Sequence, residues 1–313
     1  MVLNIPKPIE QIDKNEIARK KMFTSLTTHV LSYLTNAFLA RGFRWYLPVV
    51  ISKSTDPLWP DPGASIEKRV EFEIYGSGVR TTLSMIVHKI VACSLFSERL
   101  FSISPNIRIE KRDRASTGWH AYEFNQLDFE IRDASSKDVM NLIEELFSGL
   151  ISHMKKNFPE LIRNRGTEKI SLPFEVIDRE DLQAKYGKEW EEILPTVIKR
   201  PVWVVNIPRE FYDFQDFKTG KWDNYDLYLP DYGEVLSGAR REFEYEKIVS
   251  KMERDGVRKE NYEVLLKLAK ERRLKQSAGA GIGIERLITW LSGSKHVCEV
   301  QPFPRVPGLV YEL

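Results

Sequence analysis

From Gly279 the chain reads Gly-Ala-Gly-Ile-Gly-Ile-Glu-Arg-Leu, with glycine at every second position up to a charged helix start. In an extended strand alternate residues share a face, so Gly279, Gly281 and Gly283 strip one face of side chains while Ile282 and Ile284 point to the other. A bare face admits either a flat ligand lying on backbone or a closely packed neighbour, and the residues alone leave both uses open. The following Glu285-Arg286-Leu287-Ile288-Thr289-Trp290-Leu291 reads as a helix, which sets Arg286 at the rim of the bare patch. The spacing differs from the Gly-x-Gly-x-x-Gly dinucleotide fingerprint, whose third glycine falls inside the helix.

Three hundred and thirteen residues suffice for one large core or two domains. Forty-seven basic residues against 45 acidic ones leave a formal charge of +2. No bulk field therefore draws the chain to nucleic acid or anionic lipid, and any basic site must be local. Cys93 and Cys298 support neither a disulfide framework nor a zinc knuckle, so the expected compartment is the reducing cytosol. The first ten residues lack a signal-peptide pattern, and no uncharged stretch approaches the ~18 residues of a membrane span. The chain is expected to be neither secreted nor membrane-embedded.

Ile17, Met22, Phe23, Leu26, Val30, Leu34 and Phe38 follow helical spacing, which predicts a long amphipathic helix over about 14–41 closed by Gly42. Residues 43–52 are β-rich and apolar on both faces, interrupted by Pro48, which implies an edge, a bulge or an interface. Residues 55–64 read as a loop. A strand near 70–75 and a helix near 84–95 precede strands at 100–110 and 123–132, which flank a loop carrying Lys111, Arg112, Arg114 and His120. A helix over 137–158 has Ser135 or Ser136 as its N-cap. Residues 174–200 mix helical and turn signals. Strands at 202–207, 224–229 and 232–237 and helices at 242–255 and 259–273 lead to the glycine strand. Strands scattered among long helices, several joined as hairpins, predict an α+β fold with an antiparallel sheet.

The strand at 123–132 sorts by period two, with Leu127, Phe129 and Ile131 on one face and Phe124, Gln126, Asp128 and Glu130 on the other. Its expected partner turns Ile107 and Ile109 inward and Arg108 and Glu110 the other way. Two neighbouring strands then project Arg108, Glu110, Gln126 and Asp128 toward one surface. Arginine matches phosphate or carboxylate in bidentate fashion, so an acid-and-base cluster of this kind favours a charged ligand.

Pro48 after a long helix, Arg108-Ile109-Glu110 before a loop, and Gly-Ile-Gly-Ile-Glu-Arg at 281–286 resemble, in order, the three signature motifs of class II aminoacyl-tRNA synthetases. Within that class the chain resembles the aspartyl and asparaginyl branch through His120, Glu123, Gln126-Leu127-Asp128-Phe129-Glu130, Tyr225-Asp226-Leu227 and Glu234-Val235-Leu236-Ser237-Gly238. Three phrases are similar to those of archaeal-type asparagine synthetases related to asparaginyl-tRNA synthetase: Thr55-Asp56-Pro57-Leu58-Trp59-Pro60-Asp61-Pro62, Asn206-Ile207-Pro208-Arg209-Glu210-Phe211-Tyr212-Asp213, and Gln301-Pro302-Phe303-Pro304-Arg305-Val306-Pro307-Gly308.

The resemblance implies a single catalytic domain over residues 1–313, an antiparallel sheet flanked by helices without an anticodon-binding barrel, acting in the cytoplasm as a homodimer. It implies activation of aspartate by ATP with Mg²⁺, then attack by ammonia to give asparagine, AMP and pyrophosphate, with no tRNA and no membrane as partner. It also implies roles. Arg108 holds the α-phosphate, with Glu110 beside it; Phe124 and Arg286 enclose adenine over the floor of Gly281 and Gly283; His120 meets the outer phosphates. Glu234, Ser237 and Asp226 are the magnesium ligands, which requires a bulge or strand end between positions 234 and 237. Asp128 and Ser84 meet the substrate ammonium, Gln126 its α-carboxylate, and Lys89 and Arg241 its side-chain carboxylate.

Several positions depart from these relatives. Arg240 falls where asparagine-forming and asparagine-charging relatives carry an acidic residue and the aspartyl branch a glutamine. Arginine has donors only, so it cannot accept a hydrogen bond from ammonia or an amide. Ala239 and Leu236 replace a glycine and a serine and are expected to narrow the same corner. Trp119 replaces a basic residue, and Leu83 a histidine. The departures leave open an outward-turned Arg240, a more acidic or longer substrate, a stand-alone core charging tRNA or another acceptor, and a nucleotide-binding sensor.

Overall fold

The computed structural model describes residues 5–58, 66–165 and 170–313; Trp59, Pro60, Asp61 and Pro62 of the first quoted phrase lie outside them. A 27-residue helix, α1 (Lys14–Ala40), opens the fold. Asp13 caps it by accepting the amides of Asn15 and Glu16 while Glu16 accepts the amide of Asp13, so two orphan donors are satisfied reciprocally. Gly42, at φ +80°, turns the chain away from its end. The apolar stripe of α1 is buried from Phe23 to Phe38, but Ile17 lies on the exposed side.

The region around Pro48 forms only two short strands, β1 (Arg44–Trp45) and β2 (Ile51–Ser52). β3 (Ile66–Lys68), β4 (Glu71–Ile74) and β5 (Ser77–Thr81) follow, then α2 (Ile86–Leu95). The strand predicted at 100–110 is broken at Arg108 into β6 (Arg99–Ile107) and β7 (Ile109–Glu110), and β7 leaves the main sheet to pair with β3. β8 (Glu123–Arg132) has the bounds read from its alternation. Ser135, in a capping box with Asp138, starts α3 (Ser136–Asn157), followed by α4 (Pro159–Arg165).

The mixed region resolves into β9 (Glu175–Asp178), α5 (Arg179–Tyr186) and α6 (Trp190–Val197). The remaining elements are β10 (Val202–Val205), β11 (Asn224–Leu229), β12 (Gly233–Arg240), α7 (Tyr245–Arg254), α8 (Glu263–Lys270), β13 (Ser277–Gly283), α9 (Ile284–Ser292) and α10 (Val297–Val300).

Eight strands form one sheet in the order β1-β6-β8-β13-β12-β11-β10-β9. Its interior pairings are antiparallel, and only the outermost pairs, β1 with β6 and β9 with β10, are parallel. One face buries Leu127, Phe129 and Ile131 of β8 and Ala278, Ala280 and Ile282 of β13 against α1, α3 and α9. Burial of this alternating apolar set is what fixes the register, because a one-residue slip would turn the polar set into the core. On the opposite face α2 packs over β6 and β8, and with α7 and α8 it surrounds a second core around Phe211 and Met252. Both cysteines are buried and unpaired. Among the described residues no helix is long and apolar enough to cross a membrane.

Candidate active site

Opposite α1 and α3 the sheet carries a polar cleft with a volume of about 250 Å³. β8 supplies Phe124, Gln126 and Asp128, and β13 supplies Gly281 and Gly283 as floor. Arg108, Glu110 and His120 enter from the break after β6, Glu234 and Ser237 from β12, Arg286 from the start of α9, and Ser84, Lys89 and Arg241 line the other end. Of the residues named from the sequence for this site, Asp226 alone does not line the cleft; it lies one strand further along the sheet, as the partner of Ser237 in the β11–β12 ladder.

The ladder between β11 and β12 slips where Leu227 faces Leu236 but Tyr228 faces Glu234. Val235 has no partner there, and Val235 and Leu236 both turn into the core. This bulge brings Glu234 and Ser237 to the same side, as their shared role requires. It also corrects the expectation for Leu236, which narrows nothing in the cleft. Ala239 is fully buried and does not line the cleft either.

At the nucleotide-like end, Arg108 Nε donates to the Leu83 carbonyl at 3.0 Å and its guanidinium lies 5.1 Å from the centre of the Phe124 ring. Leu83 therefore acts through its backbone. Arg286 Nη1 donates to the Glu234 carbonyl at 3.2 Å and pairs with its carboxylate at 3.1 Å. Burial raises the Glu110 carboxyl above its ordinary range, with Arg108, Arg114 and Arg286 pulling it back. His120 lines the cleft, where Nε2 meets Arg114 Nη1 and Nδ1 meets Thr117 Oγ1, both at 2.7 Å. Burial and the surrounding arginines push its imidazole down to about 3. The neutral ring, engaged at both nitrogens, holds Arg114 in the cleft.

At the other end the ionic groups are already paired within the protein. Lys89 Nζ donates to Asp128 Oδ1 and to the Ala280 carbonyl, each at 2.9 Å, and Ser104 Oγ donates to Asp128 Oδ2 at 2.7 Å. Arg241 binds Asp213 at 2.6 Å, Glu130 at 3.2 Å and the Gly279 carbonyl at 3.0 Å. Asn106 Nδ2 orients Gln126 through Oε1 at 3.0 Å. Ser104 and Asn106 were not found from the sequence; their only signal is small polar residues at alternate positions of β6, which becomes legible once β6 and β8 are in register.

The glycines divide between the two uses left open. A Cβ on Gly279 would lie within 3.0 Å of the Glu130 carboxylate and the Phe129 carbonyl, so this glycine makes room for a charged side chain and not for a ligand. Gly281 and Gly283 face the cleft. Arg240 is likewise settled: it donates to Gln276 Oε1 at 2.9 Å, lies 4.1 Å from the centre of the Phe214 ring, and turns away from the cleft. Its charge does not reverse the acceptor corner.

The magnesium ligands can be tested on the chemistry of their donors. Asp226 Oδ1 is buried without a hydrogen-bond partner, its other oxygen pairs with Arg209, and burial raises the carboxyl above its ordinary range. With Ser237 opposite and Glu234 one bulge away, the donors are all oxygen, as a hard cation requires. The residues fit the ion.

Residues 80–307 match the family described as tRNA synthetases class II (D, K and N). The chain belongs to this family. It is 28% identical over 250 residues to the asparagine–tRNA ligase of Clostridium novyi, covering 69% of this chain and 53% of that protein. The asparagine–tRNA ligase of Pyrococcus furiosus is 29% identical over 273 residues, covering 80% and 61%. The chain thus spans about half the length of the curated relatives it matches. Among solved structures, asparaginyl-tRNA synthetase from Pyrococcus horikoshii complexed with asparaginyl-adenylate superposes with a TM-score of 0.80 at 21% identity, over 99% of this chain and 76% of that one. The Entamoeba histolytica asparaginyl-tRNA synthetase with asparaginyl-adenylate gives 0.82 at 18%, over 99% and 74%. At such identity these likenesses establish the fold, a class II catalytic core. None of the relatives named here is an asparagine synthetase, so the expected likeness to that group rests on the sequence phrases alone.

Proposed function

We propose that the cleft activates an amino acid with ATP, and that aspartate is the amino acid. The observation that supports this is the continuity of one surface along β8 and β13. Phe124, Arg108 and Arg286 stand at one end, Asp128, Lys89 and Arg241 at the other, and Gly281 leaves the floor between them clear. A carboxylate oxygen attacks the α-phosphorus in line and pyrophosphate leaves. Arg108 holds the α-phosphoryl oxygens as charge develops on them. Phe124 stacks one face of adenine and Arg286 the other, once ATP displaces the Arg286 pairing with Glu234. Glu234, Ser237 and Asp226 are the residues suited to hold Mg²⁺, which neutralises phosphate charge when bound. Lys89 and Arg241, which keep their pairings with Asp128, Glu130 and Asp213, face the carboxylate that is not adenylated, the side-chain one when the α-carboxylate is activated, and the chain acts as one catalytic domain. The apolar face beside Pro48, where Leu47 is 88% exposed and Trp45 50%, favours a homodimer.

Two acceptors follow from different observations. Ammonia is the acceptor implied by the sequence phrases; it gives asparagine and AMP when the side-chain carboxylate is the one adenylated, which puts the α-carboxylate at Lys89 and Arg241. tRNA is the acceptor favoured by the names of the relatives, and those names weigh against the expectation that tRNA plays no part. Pyrophosphate exchange with each amino acid in turn tests activation, and exchange with none refutes it. AMP release dependent on ammonium without tRNA supports the first acceptor; release that requires tRNA supports the second.

A further inference from the structure

The segment 206–213 was singled out in the sequence, yet activation uses only part of it. Its backbone is pinned: Ile207 exchanges hydrogen bonds with Asn224, Arg209 is tied to Asp226, Phe211 is buried against Tyr262, and Asp213 pairs with Arg241. Between these anchors Glu210 lines the cleft at 6% exposure. Among the described residues its carboxylate accepts no hydrogen bond from another residue and has no ion pair within 4 Å. Asp56, also 6% exposed, lines the same corner, and its carboxylate is held by neutral donors: Tyr212 Oη at 3.0 Å, Ser84 Oγ at 3.1 Å and the Leu58 amide at 2.9 Å. The nearby cations have partners of their own: Arg209 pairs with Asp226, Arg241 with Glu130 and Asp213, and Arg69 donates to the Asp56 and Pro57 carbonyls. Burial and the proximity of Asp56 push the Glu210 carboxyl well above the ordinary carboxylate range.

Two buried carboxylates without a cation between them form an arrangement that a bound positive charge completes. No third His, Cys, Asp or Glu completes a metal-binding cluster with these two among the described residues, and the neighbouring Tyr212 and Ser84 hydroxyls already donate to Asp56. A cation that brings N–H donors suits carboxylate oxygens better. The resemblance gives the substrate ammonium to Asp128 and Ser84; Asp128 already accepts from the cation Lys89 and from Ser104, and Ser84 spends its hydroxyl hydrogen on Asp56, so the uncompensated negative charge of the cleft lies at Glu210 and Asp56. We propose that Glu210, with Asp56, is the receiving site for an ammonium group in this cleft, carried by the amino acid or supplied as free ammonium.

This deepens the activation reading and rests on it, so the test reads binding rather than turnover. Calorimetric titration compares L-aspartate with succinate, which lacks the amino group, in ammonium chloride and in sodium chloride at equal ionic strength. It is done for the wild type, Glu210→Gln and Glu210→Asp. If the amino acid carries the ammonium, Glu210→Gln weakens aspartate on the order of 10- to 100-fold and leaves succinate unchanged. If the ion is free, Glu210→Gln abolishes the gain in affinity that ammonium gives over sodium. Glu210→Asp, which keeps the charge, restores part of either effect and carries the comparison if the glutamine variant does not fold. A Glu210→Gln protein that keeps both preferences overturns the assignment, and so does a wild type that shows neither. Pyrophosphate exchange run in parallel separates the two readings. A wild type with the ammonium preference but no exchange refutes activation and leaves Glu210 assigned.

Discussion

Replacing Gly279 by alanine tests the division of labour along β13. The added methyl would meet the Phe129 carbonyl and the Glu130 carboxylate inside 3.0 Å, a range real Cβ atoms do not reach. Neither neighbour can retreat. The carbonyl belongs to the β8 ladder, and Glu130 is fully buried and held by Arg241 and the Ser277 hydroxyl at 2.8 Å. Overpacking of this kind costs about 1–3 kcal/mol, and displacing the carboxylate from its partners takes the expected loss to the upper end. In a chain of this length 1 kcal/mol moves the melting temperature by about 2 °C, so Gly279→Ala should melt about 5 °C lower. Gly283→Ala is the control, because its methyl would lie 3.4 Å from the Arg286 side chain, an ordinary contact. Gly281→Ala falls between, 3.1 Å from Asp128 Oδ1 and Gln126 Nε2, and is expected to impair amino-acid binding more than stability. Thermal and urea denaturation of the three variants provide the measurement. Equal stability of the 279 and 283 variants would show that Glu130 does not occupy the notch.

Arg108→Ala should abolish pyrophosphate exchange with little change in melting temperature, because the residue faces the cleft and not the core; retained exchange would misplace the nucleotide. Arg240→Glu should leave exchange within about twofold of the wild type, since Arg240 turns toward Gln276 and Phe214; a marked change would bring it back to the cleft. His120 titrates near its ordinary 6.5 when unfolded but near 3 in the fold, so between these values the unfolded chain holds more protons and stability falls as pH falls. Its share is about 1.4 kcal/mol per pH unit below 6.5, and urea titrations from pH 7 to 5 should show a flatter slope in His120→Gln. Glu234→Gln should raise the magnesium concentration needed for half-maximal exchange, and an unchanged requirement would remove it from the metal site.

β8 was legible to the residue because alternation over ten positions states both its length and its buried face, and neither depends on a distant partner. The long helices α1 and α3 were legible for the same local reason, with Gly42 marking the end of the first and Ser135, one of two candidate caps, the start of the second; the Asp13 cap emerged only from the structure. What escaped was relational. Nothing in the string Arg-Ile-Glu shows that the strand breaks at Arg108, because the break is set by β3 drawing β7 out of the main sheet. Ser104 and Asn106 gain meaning only from register with Asp128 and Gln126. The glycine pattern showed three bare positions but not that one of them was filled from β8. The direction of Arg240 depended on a ring, Phe214, 26 positions earlier in the chain.

The unpaired Val235 also bears on how this part of the chain can vary over generations. Glu234 and Ser237 share a side only because two consecutive residues between them dip into the core. Exchanging Val235 for another apolar residue preserves that phase, whereas losing or gaining one residue there inverts it and carries Glu234 out of the cleft or Ser237 out of line. Homologous chains at this site are therefore expected to differ in letters but not in length, and a single-codon deletion should be more damaging than almost any substitution.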